Sequence, residues 1–206
     1  MPQMNLLSEM QRDALAEVFN IGAGRAALSI SEIVGDEVKL SVPSIEVKKS
    51  VEIGVETLPL NNERFGTVHQ NFTGPFEATA MLLFSEEKAL EIVRDMMGSQ
   101  MSLEELVEFE QEAMCELGNI ILNACLSAMA DILGISLNST LPCYTIASCT
   151  ELLHTITSSM DQDYVLVLNI VFTSVKRESE GQLILLLSSA SLTNLIRHID
   201  HFLGGI

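Results

Sequence analysis

Two stretches of the chain repeat apolar residues at a helical period. In the first stretch they return every three or four positions, which is the spacing of one buried helix face: Ala14, Leu15, Val18, Phe19, Gly22 and Ala26. Ser8 and Gln11 have the spacing of a capping box, and Gly35 is a typical helix stop. The pattern therefore predicts a helix from about residue 8 to Ile33.

The same signals return about one hundred residues later in the chain. Ser102 and Glu105 form a second capping box, and Gly134 is a second stop signal. The sequence therefore predicts another long helix between residue 102 and Gly134.

Shorter elements follow each predicted long helix in the same order. Alternation and turn residues predict the elements of the first half: a strand at 38–42 ended by Pro43, a turn at 59–62, a hairpin of 65–72 with 76–84, a helix at 86–97 and a short connector at 98–101. Ile45 and Val47 are also compatible with a strand that continues beyond Pro43. In the second half they predict a strand at 135–141 ended by Pro142, a short helix at 149–158, a hairpin of 164–175 with 182–188 and a last helix at 190–202.

One constant offset relates the two halves. The offset is 99 positions for each of four pairs: Glu17 and Glu116, Asn20 and Asn119, Gly35 and Gly134, Pro43 and Pro142. Equal offsets without an insertion indicate an internal duplication. We therefore predict one domain over residues 1–206, built from repeats at about 7–98 and 102–203 and joined with pseudo-two-fold symmetry.

A polar stripe lies opposite the apolar face of both predicted helices. Asp13, Glu17 and Asn20 are spaced by four and three residues, so their side chains fall within roughly 60° of one another. The second helix repeats the stripe as Glu112, Glu116 and Asn119. Each stripe alone is compatible with an ordinary solvated helix face. Asparagine is a poor helix former in mid-helix, however, and its repetition at the same spacing favours a working site.

Gly22 and Gly24 follow the first stripe inside the same predicted helix. Each glycine costs a helix about 1 kcal/mol relative to alanine. They are therefore expected to permit close packing of another helix or of a partner. A nucleotide-binding loop is excluded, because the third glycine and a preceding strand are missing.

Charge narrows the classes of partner. The formal net charge is −17, from 11 basic and 28 acidic residues. Such a charge disfavours binding to nucleic acids and to anionic membranes. The sequence suggests neither a secretory signal nor an apolar run of ~20 residues, so a cytoplasmic location is expected.

Cysteine and histidine residues give no metal-binding pattern. The four cysteines form no C-x-x-C pair, and they are expected to be buried thiols in a reducing compartment. His198 and His201 are three residues apart on the last predicted helix, without an evident third ligand. We interpret them as a surface pair.

The spacing of the stripe residues resembles a known signature. Asp/Ser-x3-Glu-x2-Asn-x22-Pro is typical of the CheC/CheX/FliY family of chemotaxis phosphatases. The matching positions are Asp13, Glu17, Asn20 and Pro43, then Glu112, Glu116, Asn119 and Pro142. With two complete copies the chain looks most like the two-site CheC type. Glu112 departs from the pattern, since the family usually has Asp or Ser there.

The resemblance implies a fold and an activity. The fold is α+β, with one antiparallel sheet and the two long motif helices on one side of it. The activity is hydrolysis of the aspartyl-phosphate of a CheY-like response regulator. In this reading Asn20 and Asn119 orient the attacking water, and Glu17 and Glu116 dock on a lysine of the regulator.

The remaining implications concern the periphery of the site and the partners. Asp13 and Glu112 extend the acidic docking contact, and the two prolines are architectural, each ending a strand. No cofactor is expected on this chain, because the regulator supplies its own Mg²⁺. The alternative function is an adaptor with little or no catalysis that binds a receiver domain or CheD.

Overall fold

The computed structural model describes residues 6–54, 57, 64–97, 102–158, 163–174 and 178–204, which contain five α-helices, a 3₁₀ helix at Ser50–Glu52 and seven strands. The helices are α1 (Glu9–Val34), α2 (Glu86–Met97), α3 (Leu103–Leu133), α4 (Cys149–Ser158) and α5 (Ser189–Gly204). The strands are β1 (Val38–Lys49), β2 (Arg64–Thr73), β3 (Ala78–Ser85), β4 (Asn138–Ser139), β5 (Cys143–Ser148), β6 (Tyr164–Ser174) and β7 (Glu178–Leu187). The predicted turn at 59–62 and the connector at 98–101 lie outside the described residues.

The capping residues define the ends of α1 as the sequence predicts. The Ser8 side chain accepts from the Gln11 backbone N–H, and the Gln11 side chain accepts from the Ser8 backbone N–H. Gly35 ends α1 in the left-handed region at φ 73°, and Gly134 ends α3 at φ 66°. Ser102 and Glu105 form the same reciprocal bonds at the start of α3. Both predicted long helices are therefore confirmed.

The two halves of the chain contribute alternately to one antiparallel sheet. Its strand order is β1-β6-β7-β3-β2, and both β4 and β5 pair with the outer side of β2. The strand that follows each motif helix thus pairs with the hairpin of the other half. This reciprocal exchange is a pseudo-two-fold arrangement. The predicted α+β fold is confirmed.

Each face of the sheet has its own helical layer. On one face, α1 and α3 pack with α2 and α5 over the main core, so both motif helices lie on the same side. On the opposite face, α4 packs over a smaller cluster that includes Leu152 and Ile156. The sheet is therefore buried on both faces, which explains the nearly continuous apolar runs of β3 and β7.

Pro43 does not end the strand that follows α1, contrary to the sequence prediction. β1 continues through it to Lys49, and the register with β6 shifts between Ser41 and Ser44. Proline is tolerated there because β1 is an edge strand and the bulge removes Pro43 from the hydrogen-bond ladder. The absence of an N–H group at Pro43 therefore costs the sheet no hydrogen bond.

The corresponding strand of the second half is broken into two pieces. The strand predicted at 135–141 shrinks to the two residues of β4, and β5 begins directly after Pro142. Thr140 joins the pieces to β2, since its backbone N–H donates to the Asn71 carbonyl at 3.0 Å. Pro142 therefore lies in a gap between two short strands, whereas Pro43 lies in a bulge of one long strand.

The motif helices approach each other closely at Gly22. A Cβ placed there would lie 2.5 Å from Cys125 Cα and 2.9 Å from the Ala124 carbonyl oxygen. The expectation that this glycine permits close helix packing is thereby confirmed. Gly24 differs, because a Cβ at that position meets no atom within 4 Å.

The length and apolarity of α3 reflect its place in the core. Among the described residues, its segment Glu104–Leu133 is long and apolar enough to cross a membrane by length and composition, contrary to the sequence prediction that no segment is. Most of its apolar window is buried inside the domain. We therefore assign it as a core helix.

The cysteines differ in exposure, so the expectation of four buried thiols is wrong in part. Cys125 is buried against α1, and burial raises the pKa of its thiol to about 12. Cys143, by contrast, is exposed at the start of β5.

Substitution of the two glycines tests the helix contact. Gly22→Ala should lower the free energy of unfolding by roughly 1–3 kcal/mol, because the added methyl group overlaps the backbone of α3. Gly24→Ala is the matched control, and it should leave stability unchanged or raise it by up to about 1 kcal/mol through helix propensity. Urea denaturation of both variants measures the difference. Equal stabilities would contradict a close contact at Gly22.

Candidate functional site

The carboxylates of both polar stripes point into solvent. Asp13 and Glu17 are exposed on α1, and Glu112 and Glu116 are exposed on α3. Within the described part of the chain, none of the four has a hydrogen-bond or ion-pair partner. Each helix buries its other face, so the stripes are left free to meet a cationic partner.

Asn20 is held by the backbone on both sides of its carboxamide. Its Oδ1 accepts from the Val42 N–H at 2.8 Å. Its Nδ2 donates to the Val42 carbonyl at 3.2 Å and to the Ala16 carbonyl at 2.9 Å. Both amide hydrogens and one oxygen lone pair are therefore engaged, and one oxygen lone pair remains.

The bulge in β1 explains this clamp on Val42. The ladder between β1 and β6 skips the two positions between Ser41 and Ser44, so the Val42 backbone receives no cross-strand partner there. A carboxamide carries one donor group and one acceptor, as a peptide group does. The side chain of Asn20 therefore makes the two hydrogen bonds to Val42 that a neighbouring strand would otherwise make. Asn20 therefore ties α1 to β1 next to Pro43.

Asn119 has a different partner, although it occupies the equivalent position. Its Oδ1 accepts from Asn123 Nδ2 at 2.6 Å, one turn further along α3. Among the described residues, no partner is recorded for its own amide nitrogen. Position 123 corresponds to Gly24 at the 99-residue offset, so the first half lacks a side chain that could form this bond. The structure therefore holds the two stripe asparagines in different ways.

Other groups tie α3 to the strand that follows it. The hydroxyl of Tyr144 in β5 donates to the Glu110 carboxylate, and both side chains are buried. Burial, and then the hydrogen bond to Glu110, raise the pKa of the Tyr144 hydroxyl, which keeps it a neutral donor. The Cys115 thiol also approaches the Pro142 carbonyl at 3.9 Å. These contacts anchor α3 without using Asn119.

The residues before the two prolines differ in burial. Val42 is 2% exposed, whereas Leu141 is 90% exposed. Val42 turns into the core and brings its backbone against Asn20. Leu141 turns outward, and the structure records no bond between its backbone and Asn119. Because the edge strand of the second half is broken at this point, Asn119 does not form the backbone hydrogen bonds that Asn20 forms.

Exposed apolar residues flank the stripe carboxylates, and the sequence reading did not single them out. Met10 and Phe109 lie three positions before the first acid of each stripe, at 65% and 36% exposure. Ile21 and Ile120 lie four positions after each stripe glutamate, where Ile21 is 38% exposed and Ile120 is half-buried. Both pairs could have been found in the sequence, because each pair places apolar residues at equivalent positions of the two copies, 99 residues apart. Leu28 extends the first stripe only, at 71% exposure.

Metal ligands are not grouped in the described residues. No set of three or more His, Cys, Asp or Glu side chains in this part of the chain is placed to hold a metal ion. His198 and His201 both lie on α5, where the sequence placed them.

Comparisons with known proteins show which fold the chain shares and which family its sequence resembles. The model of the CheC-like family matches residues 10–47, which include Asp13, Glu17, Asn20 and Pro43. The crystal structure of Thermotoga maritima FliY superposes with a TM-score of 0.77, over 95% of this chain and 98% of that chain, at 19% identity.

Two relatives from Bacillus subtilis strain 168 match a larger part of the sequence. The flagellar motor switch phosphatase FliY is 29% identical over 133 residues, which are 65% of this chain and 32% of FliY. The CheY-P phosphatase CheC is 26% identical over 141 residues, which are 67% of each chain. The matched segment thus spans about a third of FliY. The resemblance to the CheC-like family is confirmed.

Alanine substitution of the two asparagines tests their different environments. Asn20→Ala should lower the free energy of unfolding by roughly 1–3 kcal/mol, because the buried Val42 backbone groups lose their partner. Asn119→Ala removes one side-chain bond on a helix surface and should change stability by less than about 1 kcal/mol. Denaturant unfolding of both variants measures the contrast. Equal losses would contradict a clamp that is specific to the first half.

Proposed function

We propose that this chain hydrolyses the aspartyl-phosphate of a CheY-like response regulator. One observation supports the proposal above all: on both α1 and α3 an exposed glutamate is followed three residues later by an asparagine. The copy on α1 lies within the segment that the CheC-like family model matches. The names of the two Bacillus relatives, both phosphatases, support the same reaction class.

The reaction makes modest chemical demands on the protein. Water attacks phosphorus, the bond from phosphorus to the aspartyl oxygen breaks, the aspartate leaves as a carboxylate, and both protons of the water stay with the released phosphate. An acyl phosphate is already activated, so a few powers of ten, at about 1.4 kcal/mol each, are enough. Positioning of the water can supply this much. The regulator brings its own Mg²⁺, which neutralises phosphoryl charge when bound.

The stripe glutamates provide the docking contact in this proposal. Glu17 and Glu116 are exposed and carry no intramolecular partner in the described chain, so a lysine of the regulator meets an unoccupied carboxylate. Asp13 and Glu112 lie one turn before them and extend the acidic surface. The flanking apolar side chains add contact area that a charge pair alone lacks. Docking then places the asparagine of the same stripe at the phosphoryl group.

The two asparagines serve as the water-positioning groups. A carboxamide binds water through either its oxygen or its nitrogen. Asn20 retains one oxygen lone pair for this purpose, and its clamp to Val42 keeps the side chain rigid. Among the described residues, no group accepts from the amide hydrogens of Asn119, so both remain for water. Each stripe therefore has a group that can hold the attacking water.

A second candidate function is favoured by the first stripe. Most of the Asn20 hydrogen-bonding capacity is used within the fold, while Ile21 and Leu28 present exposed apolar surface beside Glu17. This combination suits an adaptor that binds a receiver domain, or CheD, with little catalysis.

Charge reversal at the glutamates tests the proposed docking. Glu17→Lys and Glu116→Lys should each abolish docking at their own site, because a lysine there repels the lysine of the regulator at a cost of several kcal/mol. The double variant should no longer accelerate decay of a receiver phosphorylated with acetyl phosphate. Phosphate release measures the rate. Glu32→Lys is the control, since Glu32 is an exposed glutamate about four turns further along α1.

The charge-reversal series also separates the two candidate functions. Full activity of the double variant would contradict docking through these carboxylates. Receiver binding by the unmodified chain, without any acceleration of phosphate release, would favour the adaptor.

A further inference from the structure

The bond between Asn123 and Asn119 is a feature that the family signature does not contain. The two side chains lie four residues apart on α3, so they are neighbours on one helix face, and the Asn123 amide donates to Asn119 Oδ1 at 2.6 Å. Both side chains are half-buried. The bond therefore restricts the carboxamide of Asn119 to one of its two orientations.

The direction of this bond decides which atoms of Asn119 face outward. Its oxygen is occupied by the Asn123 donor, and no partner is recorded for its nitrogen among the described residues. A freely rotating carboxamide would exchange oxygen and nitrogen, since the two orientations have nearly the same shape. In the structure Asn123 directs its Nδ2 at the oxygen of Asn119, which selects the orientation with the Asn119 amide hydrogens facing away from Asn123.

The first half reaches a fixed carboxamide by another route. Gly24 stands at the position of Asn123, and Asn20 is fixed by the backbone of Val42. In the second half the residue equivalent to Val42 is Leu141, which is turned outward. Asn119 therefore depends on Asn123 for its orientation.

We propose that Asn123 is a positioning residue of the second stripe, which fixes the Asn119 carboxamide with its N–H groups directed at the attacking water. This inference rests on the proposed function. A water that accepts from Asn119 Nδ2 keeps a second lone pair to face phosphorus. In a loose phosphoryl-transfer transition state the nucleophile forms little bonding, so placement of the water matters more than its activation.

A background with one working stripe makes the effect measurable. Glu17→Lys removes docking at the first stripe and changes an exposed side chain without partners in the described chain. In that background, Asn123→Ala should lower the rate at saturating phospho-receiver by about tenfold, because the carboxamide of Asn119 is no longer oriented. The receiver concentration at half-maximal rate should not change, since Glu116 is intact. A loss confined to that concentration, or no loss at all, would overturn the proposal.

An isosteric variant separates orientation from packing. Asn123→Asp keeps the size of the side chain but replaces the donor with an acceptor, so it draws the Asn119 nitrogen inward and turns the carboxamide over. The saturating rate should therefore fall as far as in the alanine variant. An aspartate variant that keeps the full rate would overturn the proposal.

Gly24→Asn in the same background is the matched control. A Cβ at Gly24 meets no atom within 4 Å, so the added side chain fits, and it lies on the helix whose docking is already blocked. The second-stripe rate should stay unchanged. A tenfold fall of the second-stripe rate in this control would mean that a general disturbance of the fold lowers the rate, and it would overturn the proposed role of Asn123.

A spectroscopic readout keeps the inference independent of catalysis. The side-chain amide resonances of Asn119 in the ¹⁵N-labelled chain should shift on Asn123→Ala and should shift differently on Asn123→Asp. Unmoved resonances would overturn the bond itself. If the unmodified chain releases no phosphate while these resonances respond, the proposed function fails and the orienting bond stands. The positioning role in hydrolysis is then overturned.

Discussion

The contact between the backbones of α1 and α3 at Gly22 is the constraint on which the arrangement of the site depends. Both motif helices lie on one face of a sheet that takes strands from both halves, and they meet where Gly22 faces Cys125. A helix that packs on both a sheet and a second helix has little rotational freedom. The apolar faces are thereby fixed inward, and the two carboxylate stripes are directed to solvent.

The asparagines of the two stripes have different hydrogen-bond partners because the strands that follow α1 and α3 differ. One long bulged strand follows α1, and its unpaired Val42 backbone takes up the amide of Asn20. Two short strands follow α3, which is anchored instead through Glu110 and Tyr144. One copy of the asparagine thus supports the fold, while the bond found for the other among the described residues is the one to Asn123. The glutamate and the asparagine of the stripe recur unchanged in the second half, whereas their connections to the sheet have diverged.

The extent to which the sequence predicted this structure depends on how local each feature is. Capping residues and glycine stops are local, and they placed the ends of α1 and α3 correctly. The course of the chain past Pro43 was misjudged, because a proline is tolerated only once β1 is known to be an edge strand with a bulge. The partners of Asn20 and Asn119 are set by the tertiary positions of Val42 and Leu141, which no local pattern reports. The contrast of Gly24 with Asn123 was readable at the 99-residue offset.

The proposed function requires that this chain catalyse repeated hydrolysis of the phosphoryl group of its partner. The most direct measurement is phosphate release from an excess of a CheY-like receiver, held phosphorylated by acetyl phosphate, with a small amount of this protein. A catalytic phosphatase should release many phosphates per chain, above the rate of the receiver alone. A burst no larger than one phosphate per stripe, or no release above the receiver alone, would contradict the proposed function.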